Sequence, residues 1–329
     1  MIRQDRVPQT LLLSGPEGVG KATLARRFGA LLVGDRTKKD AEKIEHDDLS
    51  LDSNQEIILD REKWPAEKRN DDPLFFSSHP DFLTFAPDGP MRQITIQQMR
   101  FLKGRASMKP LRGSWRVFLI DGIDRANEQA ANSLLKILEE PPAHLVLIMT
   151  ARNPYDLLTT IRSRSVPIPL SRLKEEEMRA FLASRNLDHP ERRLRLAEGS
   201  PGFAVSLDLE AYDRRREAML TLLRVAGGLD SFGLWLRHSD SIAARRTEKL
   251  DSYLDVLYVL LGDVMRICNG VSSIRNEDVR PQLDALARSV SFDWLRAAVG
   301  RVDEMARLLR RNIQKSLALD AFATALRAR

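Results

Sequence analysis

The 329-residue sequence contains only one cysteine, Cys268. A single thiol cannot form a disulfide or a cysteine zinc site within the chain, so a reducing cytosol is the simplest setting. Long apolar runs are also missing, since none reaches the roughly 18 residues needed to span a bilayer. Residues 1–10 carry charges and a proline but no apolar core of a secretion signal. We therefore expect a cytoplasmic protein without membrane contact.

Aromatic residues make up only 6% of the chain, which argues against a surface built mainly to stack on nucleic-acid bases. The apolar share of 43% and the charged share of 30% are typical of globular proteins, and the length predicts two or three domains. The net charge of +6 favours contact with phosphates. That indication is weak, because the arginines are spread along the chain and many are spaced to pair with acids on helices.

The first part of the sequence alternates apolar runs with helical patterns. Three runs are typical of buried parallel strands: residues 9–14, 115–121 and 145–150. Helices are predicted over residues 21–33 and 127–140. The first helix is expected to bury one apolar face, formed by Leu24, Phe28, Leu31 and Leu32. This alternation predicts a parallel sheet covered by helices.

The remaining sequence divides by composition. Residues 34–78 are rich in charge, and we expect a polar surface insertion that is partly disordered. Strand patterns end after residue 172, and amphipathic helices follow, one of them predicted over residues 242–269. The predicted domains are an α/β domain over 1–170, a small helical domain over 171–211 and a larger helical domain over 212–329.

Residues 15–22 (GPEGVGKA) fit the G-x-x-x-x-G-K pattern of a phosphate-binding P-loop, and they stand between a strand and a helix. Gly15, Gly18 and Gly20 let backbone amides turn inward around an anion. Lys21 can reach the outer phosphates, and the start of the helix adds its positive end. The alternative is an ordinary tight turn. We expect this loop to bind ATP or ADP.

Groups that hydrolysis normally needs are missing from this site. The position after the lysine usually carries a hydroxyl that binds Mg²⁺, and here it is Ala22. Thr23 follows, but one residue along a helix is a rotation of about 100°, which turns its hydroxyl away. Asp121 ends a strand and could assist Mg²⁺ through water, whereas Gly122 has no group to orient water. Asp124 is more simply explained as a helix cap. We expect no efficient hydrolysis.

Several segments resemble those of bacterial clamp-loader subunits of the AAA+ family. They are residues 79–82 (HPDF), 124–142 (DRANEQAANSLLKILEEPP), 150–154 (TARNP), 159–165 (TTIRSRS) and, more weakly, 312–320. The resemblance implies an α/β AAA+ P-loop domain with a parallel sheet and flanking helices. A small helical lid domain and an all-α collar domain are implied to follow it.

The resemblance also implies a role for Arg164 as an arginine finger. A guanidinium that reaches into a neighbouring subunit's site can neutralise charge on the transferred γ-phosphate. Ser165 stands where the family usually has cysteine, which leaves the arginine's chemistry unchanged. We favour Arg164 over Arg162, and simple pairing of Arg164 with a local acid is the alternative.

Two other departures from the family concern metal and nucleotide. Family members commonly carry a four-cysteine zinc module within the stretch that corresponds to residues 34–78, and this stretch has no cysteine. His46 and His79 are explained as ordinary loop histidines, so we expect no zinc and no metal site. The sensor arginine expected in the lid is missing from residues 199–202 (GSPG). This is the third missing group that would handle nucleotide.

Together these losses favour a stator subunit of the replicative clamp loader. The resemblance implies a hetero-pentamer with gamma/tau and delta subunits, which loads the sliding clamp onto primed DNA. An ATP-hydrolysing gamma/tau-type subunit is the first alternative, and a P-loop protein unrelated to replication is the second. DNA contact near residues 100–103, Lys109 and Arg112 is a weaker expectation, because basic helix faces are usually solvated.

Overall fold

The structure is a computed structural model that describes residues 7–33, 38–245, 248, 250–308 and 314–327. Parts of the predicted insertion and of the weakly matching segment at 312–320 lie outside these residues. The chain forms two compact units, one comprising Met1–Met178 with Gly199–Phe203 and the other Arg179–Glu198 with Ala204–Arg329. The three domains predicted from the sequence remain a prediction. No helix of the described residues is long and apolar enough to cross a membrane.

The first unit contains a mostly parallel sheet. Its strands are β1 (Thr10–Ser14), β2 (Phe76–His79), β3 (Phe82–Phe85), β4 (Arg116–Ile120), β5 (Leu145–Ala151) and β6 (Val166–Pro169). Their order is β2-β3-β4-β5-β1-β6, and β2 pairs antiparallel with β3 whereas the other neighbouring strands are parallel. The sheet confirms the predicted α/β domain with a parallel sheet and the three predicted strands. Strands β2, β3 and β6 were not predicted.

Helices cover this sheet. They are α1 (Lys21–Val33), α2 (Lys38–Glu45), α3 (Asp52–Arg61), α4 (Ala66–Asp71), α5 (Ile96–Ala106), α6 (Glu128–Glu139) and α7 (Thr159–Arg162). The predicted helices over 21–33 and 127–140 are confirmed. Helix α6 begins after Asn127, whose side chain accepts a 2.8 Å hydrogen bond from the Ala130 amide.

The predicted buried face of α1 is wrong in two positions. Leu24 and Leu31 are 43% and 61% exposed, whereas Ala25 and Gly29 are buried. The reason is close packing, because a Cβ added to Gly29 would lie only 2.2 Å from Cε2 of Phe82. The helix therefore approaches the sheet through its smallest residues, and the larger leucines on the neighbouring face remain outside.

The described part of the insertion is folded rather than disordered. It contains α2, α3 and α4, and Ile58, Leu74 and Phe76 form a small core there. The Asn54 side chain donates to the carbonyls of His46 and Asp48, which holds the α2–α3 turn. These helices were not predicted, because the buried apolar residues are isolated from one another in a polar sequence.

Helices follow β6 to the end of the described chain. They are α8 (Glu175–Arg185), α9 (Pro190–Ala197), α10 (Pro201–Ser206), α11 (Leu209–Ala226), α12 (Phe232–Ala244), α13 (Leu250–Cys268), α14 (Arg280–Ser289), α15 (Phe292–Leu308) and α16 (Lys315–Arg327). The single helix predicted over 242–269 is wrong, because α12 ends before residue 245 and α13 starts at residue 250. Carbonyls released at this break, those of Arg245 and Glu248, accept hydrogen bonds from Lys315. Trp235 of α12 donates 2.6 Å to Asp320 of α16 within the core of the second unit.

Candidate functional site

The P-loop (residues 15–22) connects β1 to α1, as predicted. Gly15, Gly18 and Gly20 all have positive φ, of 147°, 75° and 95°. At Gly15 an added Cβ would lie 2.1 Å from the carbonyl oxygen of Leu170, so only glycine fits this turn. The backbone therefore needs these glycines to pass from strand to helix.

The hydrogen bonds of the loop leave its amides available. The Glu17 carbonyl accepts from the Ser200 hydroxyl at 3.0 Å, and the Gly18 carbonyl accepts from the Gly202 amide at 2.7 Å. Among the described residues, no acceptor bonds to the amides of residues 17–20. A run of free amides with satisfied carbonyls is the arrangement of an anion-binding nest.

Lys21 is held over this loop. Its Nζ donates to the carbonyl oxygens of Gly15 and Pro16, both at 2.7 Å. Burial lowers the pKa of Lys21, and the nearby carboxylates of Asp121, Glu17 and Asp124 oppose that shift. The amine therefore shares its surroundings with three acids, as a phosphate-binding lysine beside a metal-assisting aspartate would.

Ala22 and Thr23 occupy the first turn of α1, and both are partly exposed. Ala22 is at the position that normally carries the Mg²⁺-binding hydroxyl, so this turn offers only a methyl group there. The residues present fit the phosphate part of ATP or ADP better than they fit its metal ion.

Asp121 and Gly122 directly follow β4, at the carboxyl end of this central strand. The Thr150 hydroxyl donates 2.6 Å to Oδ1 of Asp121 and accepts 2.8 Å from the Gly122 amide. Burial raises the pKa of Asp121, while Thr150 and the charges of Arg26 and Lys21 act in the other direction. Gly122 is left-handed, with φ 85° and ψ 53°. A glutamate at this position would start from a strained backbone, so more than one substitution separates this site from a hydrolytic one.

The cap assigned to Asp124 is wrong. Asp124 lies in a short 3₁₀ turn (Ile123–Arg125), and its Oδ2 accepts a 3.1 Å bond from the Arg152 amide. Arg152 directly follows β5, and its guanidinium forms an ion pair with Glu17 of the P-loop. Arg152 and Glu17 are site residues that sequence reasoning missed, since 135 positions separate them and no pattern connects them.

The predicted finger, Arg164, lies just beyond α7. Its Nη2 donates 2.8 Å to Oε1 of Glu139, and its Nη1 donates 3.1 Å to the Thr160 carbonyl. The side chains of Arg164 and Glu139 are 34% and 51% exposed. Arg162 instead stacks over the Tyr155 ring at 5.1 Å. The local acid pair named as the alternative for Arg164 is therefore present, in a solvent-accessible form.

The sequence is similar to those of known proteins. Residues 72–174 match a family described as DNA polymerase III, delta subunit. Over 237 residues the chain is 30% identical to the DNA polymerase III subunit delta' of Escherichia coli K12, covering 68% of this chain and 66% of that protein. The chain is similar to delta-prime subunits, and it spans just under two thirds of this relative's length.

Two further similarities are more limited. The chain is 40% identical over 88 residues to the DNA polymerase III subunit gamma/tau of Mycobacterium bovis, covering 27% of this chain and 15% of that protein. The structure also resembles that of a gamma subunit-related protein of Thermotoga maritima, with a TM-score of 0.46 and 20% identity. The match covers 100% of this chain and 97% of the Thermotoga maritima chain.

The H-P-D element of this chain is a structural turn between β2 and β3. The buried carboxylate of Asp81 accepts two 2.8 Å bonds, from the amides of Leu111 and Arg112, and so holds the loop after α5. Nδ1 of the buried His79 accepts from the Asp81 amide at 3.1 Å. His46 is exposed, and the described residues contain no group of three or more His, Cys, Asp or Glu placed to hold a metal ion.

The segment that lacks the sensor arginine packs on the P-loop. We call Gly199–Phe203 the cap segment; it belongs to the first compact unit. A Cβ added to Gly18 would lie 2.8 Å from the Phe203 amide nitrogen, and one added to Gly202 would lie 2.9 Å from the Gly18 carbonyl oxygen. The two backbones are therefore in close contact at these glycines. The segment has no cationic side chain that could reach a phosphate in the loop.

Proposed function

We propose that this chain is a delta-prime-type stator subunit of a clamp loader. In this role it assembles with gamma/tau and delta subunits into a hetero-pentamer and supports ATP-dependent loading of a sliding clamp onto primed DNA. The family supports the clamp-loader setting. The division of labour is supported by the chain's own pocket, which lacks a metal hydroxyl at Ala22 and a carboxylate at Gly122.

Arg164 carries the proposal. Its hydrogen-bond partners are Glu139, Thr160 and Ser163, and none of them belongs to the P-loop. The side chain is partly exposed, and an exposed ion pair contributes only about 0–1 kcal/mol. Arg164 can therefore leave Glu139 at small cost and place its forked donors on the γ-phosphate in a neighbouring subunit.

The chain's own pocket has a binding role in this proposal. Bound ATP or ADP would supply the phosphate charge, and the free amides of residues 17–20 would surround it. Lys21 would exchange its carbonyl partners for phosphate oxygens. Hydrolysis would be inefficient, because neither Ala22 nor Gly122 can position metal or water.

The helices of the second unit provide the assembly surface. Large apolar side chains stay exposed there, including Phe292 at 66% and Leu317 at 60%. We propose that this collar packs on the equivalent helices of other subunits. Primed DNA would meet the exposed basic side chains Arg100, Lys109 and Arg112 of the first unit.

The test is the DNA-stimulated ATPase of the reconstituted assembly with Arg164→Ala in this chain. Loss of an arginine finger lowers turnover of the site it completes by about 10³-fold or more, so the assembly should lose that site's share of the rate. Arg162→Ala is the matched control, because this neighbouring arginine stacks on Tyr155. An unchanged rate with Arg164→Ala would remove the finger role.

A gamma/tau-type ATPase is the second candidate. The 40% identity to a gamma/tau subunit and the intact Gly15, Gly20 and Lys21 favour it. Purified chain alone should distinguish the two, since a gamma/tau-type subunit would hydrolyse ATP in the presence of Mg²⁺ and a stator would not.

A further inference from the structure

Charged groups crowd around the P-loop in a way that the lost hydrolytic function does not explain. Lys21 has three carboxylates near it, those of Glu17, Asp121 and Asp124, and one further cation, Arg152. Asp121 has a metal-assisting position at the end of β4, but Glu17 belongs to the loop itself, where a carboxylate is a like charge for a bound phosphate.

Arg152 is anchored at its backbone, and its side chain is solvent-accessible. Its amide donates 3.1 Å to Oδ2 of Asp124, which fixes the residue at the end of β5. Its side chain is 53% exposed, and its charge is close enough to lower the pKa of Lys21. Its ion pair with Glu17 places the guanidinium beside the P-loop, which also contains Lys21.

The guanidinium of Arg152 is already paired with Glu17. Glu17 is part of the P-loop itself, and its side chain is 71% exposed. Carboxylate and phosphate oxygens accept from the same forked donors of an arginine, so they compete for it. Glu17 is also a like charge for any phosphate held by the loop.

We propose that Arg152 is a phosphate-binding residue of this pocket and that Glu17 is its internal competitor. A phosphate chain entering the loop must displace the Glu17 carboxylate before Arg152 can bind it. The ligand class is a nucleoside polyphosphate or a free polyphosphate. The inference rests on the part of the proposed function in which the P-loop still binds phosphate.

The displacement has a measurable size. Breaking an exposed ion pair of this kind lowers the affinity for phosphate by at most about fivefold. Removing the negative charge of Glu17 also favours phosphate binding, because it removes a repulsion. Glu17→Gln keeps the shape of the side chain, so it should tighten ATP binding by about fivefold. Arg152→Ala should weaken binding, and it should remove most of the gain from Glu17→Gln.

The experiment is calorimetric titration of the full chain with ATP, using the parent, Glu17→Gln, Arg152→Ala and the double variant. Pyrophosphate is titrated in parallel, and equal ratios for both ligands identify the phosphate chain as the group recognised. A ratio seen only with ATP would overturn the assignment to phosphate. Thermal melting of each variant checks that these exposed substitutions leave the fold intact.

Two other results would overturn the inference. One is a gain from Glu17→Gln that is equally large with and without Arg152, which would show a general charge effect. The other is failure of every variant, Glu17→Gln included, to bind ATP or pyrophosphate at millimolar concentration. Neither result touches the stator proposal, which depends on Arg164 in the assembled complex.

Discussion

Replacing Gly122 by alanine tests whether the backbone after Asp121 itself excludes a hydrolytic side chain. The residue has φ 85° and ψ 53°, and the nearest atoms to an added Cβ lie 3.6 to 3.8 Å away. Space is therefore sufficient, and conformation alone should set the cost. A left-handed backbone costs an L-residue about 1–2 kcal/mol, so Gly122→Ala should lower the free energy of unfolding by that amount.

The matched control is Gly104 in α5. A Cβ there would meet no atom of the described residues within 4 Å, and the backbone is helical. Gly104→Ala should therefore stabilise the protein by about 0.5–1 kcal/mol. Both variants are compared with the parent by urea unfolding. Equal effects of the two substitutions, or a neutral Gly122→Ala, would refute the argument from backbone strain.

The same reasoning extends to activity. Introducing Ala22→Thr and Gly122→Glu together adds the missing hydroxyl and the missing carboxylate. The backbone at residue 122 is left-handed, however, so the glutamate side chain would be strained and wrongly directed. We expect the isolated double variant to hydrolyse ATP no faster than the parent. Brisk Mg²⁺-dependent turnover would show that these two side chains alone separate this site from an active one.

Three further predictions follow from particular contacts. Asp81→Ala removes both acceptors of the Leu111 and Arg112 amides and should cost roughly 3 kcal/mol in urea unfolding, whereas Asp81→Asn keeps one acceptor and should cost about half. Burial raises the pKa of Asp47 above 3.8, so folding favours the protonated carboxyl and the stability of the protein falls as pH rises past that value. Thermal melts should therefore show Asp47→Asn to be more stable, relative to the parent, at pH 7 than at pH 3. The opposite order would contradict the assignment. Glu139→Gln releases Arg164 from an exposed pair and should raise the assembly ATPase by no more than about fivefold, so a fall in rate would contradict a purely competing role.

The sequence predicted those elements whose apolar residues are contiguous or regularly spaced. β1, β4, β5 and α6 are of this kind. β2 and β6 were missed because they are only four residues long, and β6 (Val166–Pro169) contains two prolines. The helices of the insertion were not predicted because single buried residues such as Ile44 and Ile58 give no period.

The candidate site divides in the same way. The glycines, Lys21, Ala22 and Asp121 were found because local spacing identifies a P-loop and a strand end. The pairing of Arg164 with Glu139 could be named only as an alternative, since it joins residues 25 positions apart. The Glu17–Arg152 pair had no signal at all, because only the parallel pairing of β1 with β5 brings the P-loop beside the end of β5.

The central claim is that this chain contributes an arginine to another subunit's site and no turnover of its own. It is tested most directly by the steady-state ATPase of the reconstituted assembly carrying Lys21→Ala in this chain alone. Lys21 belongs only to the chain's own pocket, so the account predicts a rate equal to that of the parent assembly. A rate reduced by a full site's share would contradict it.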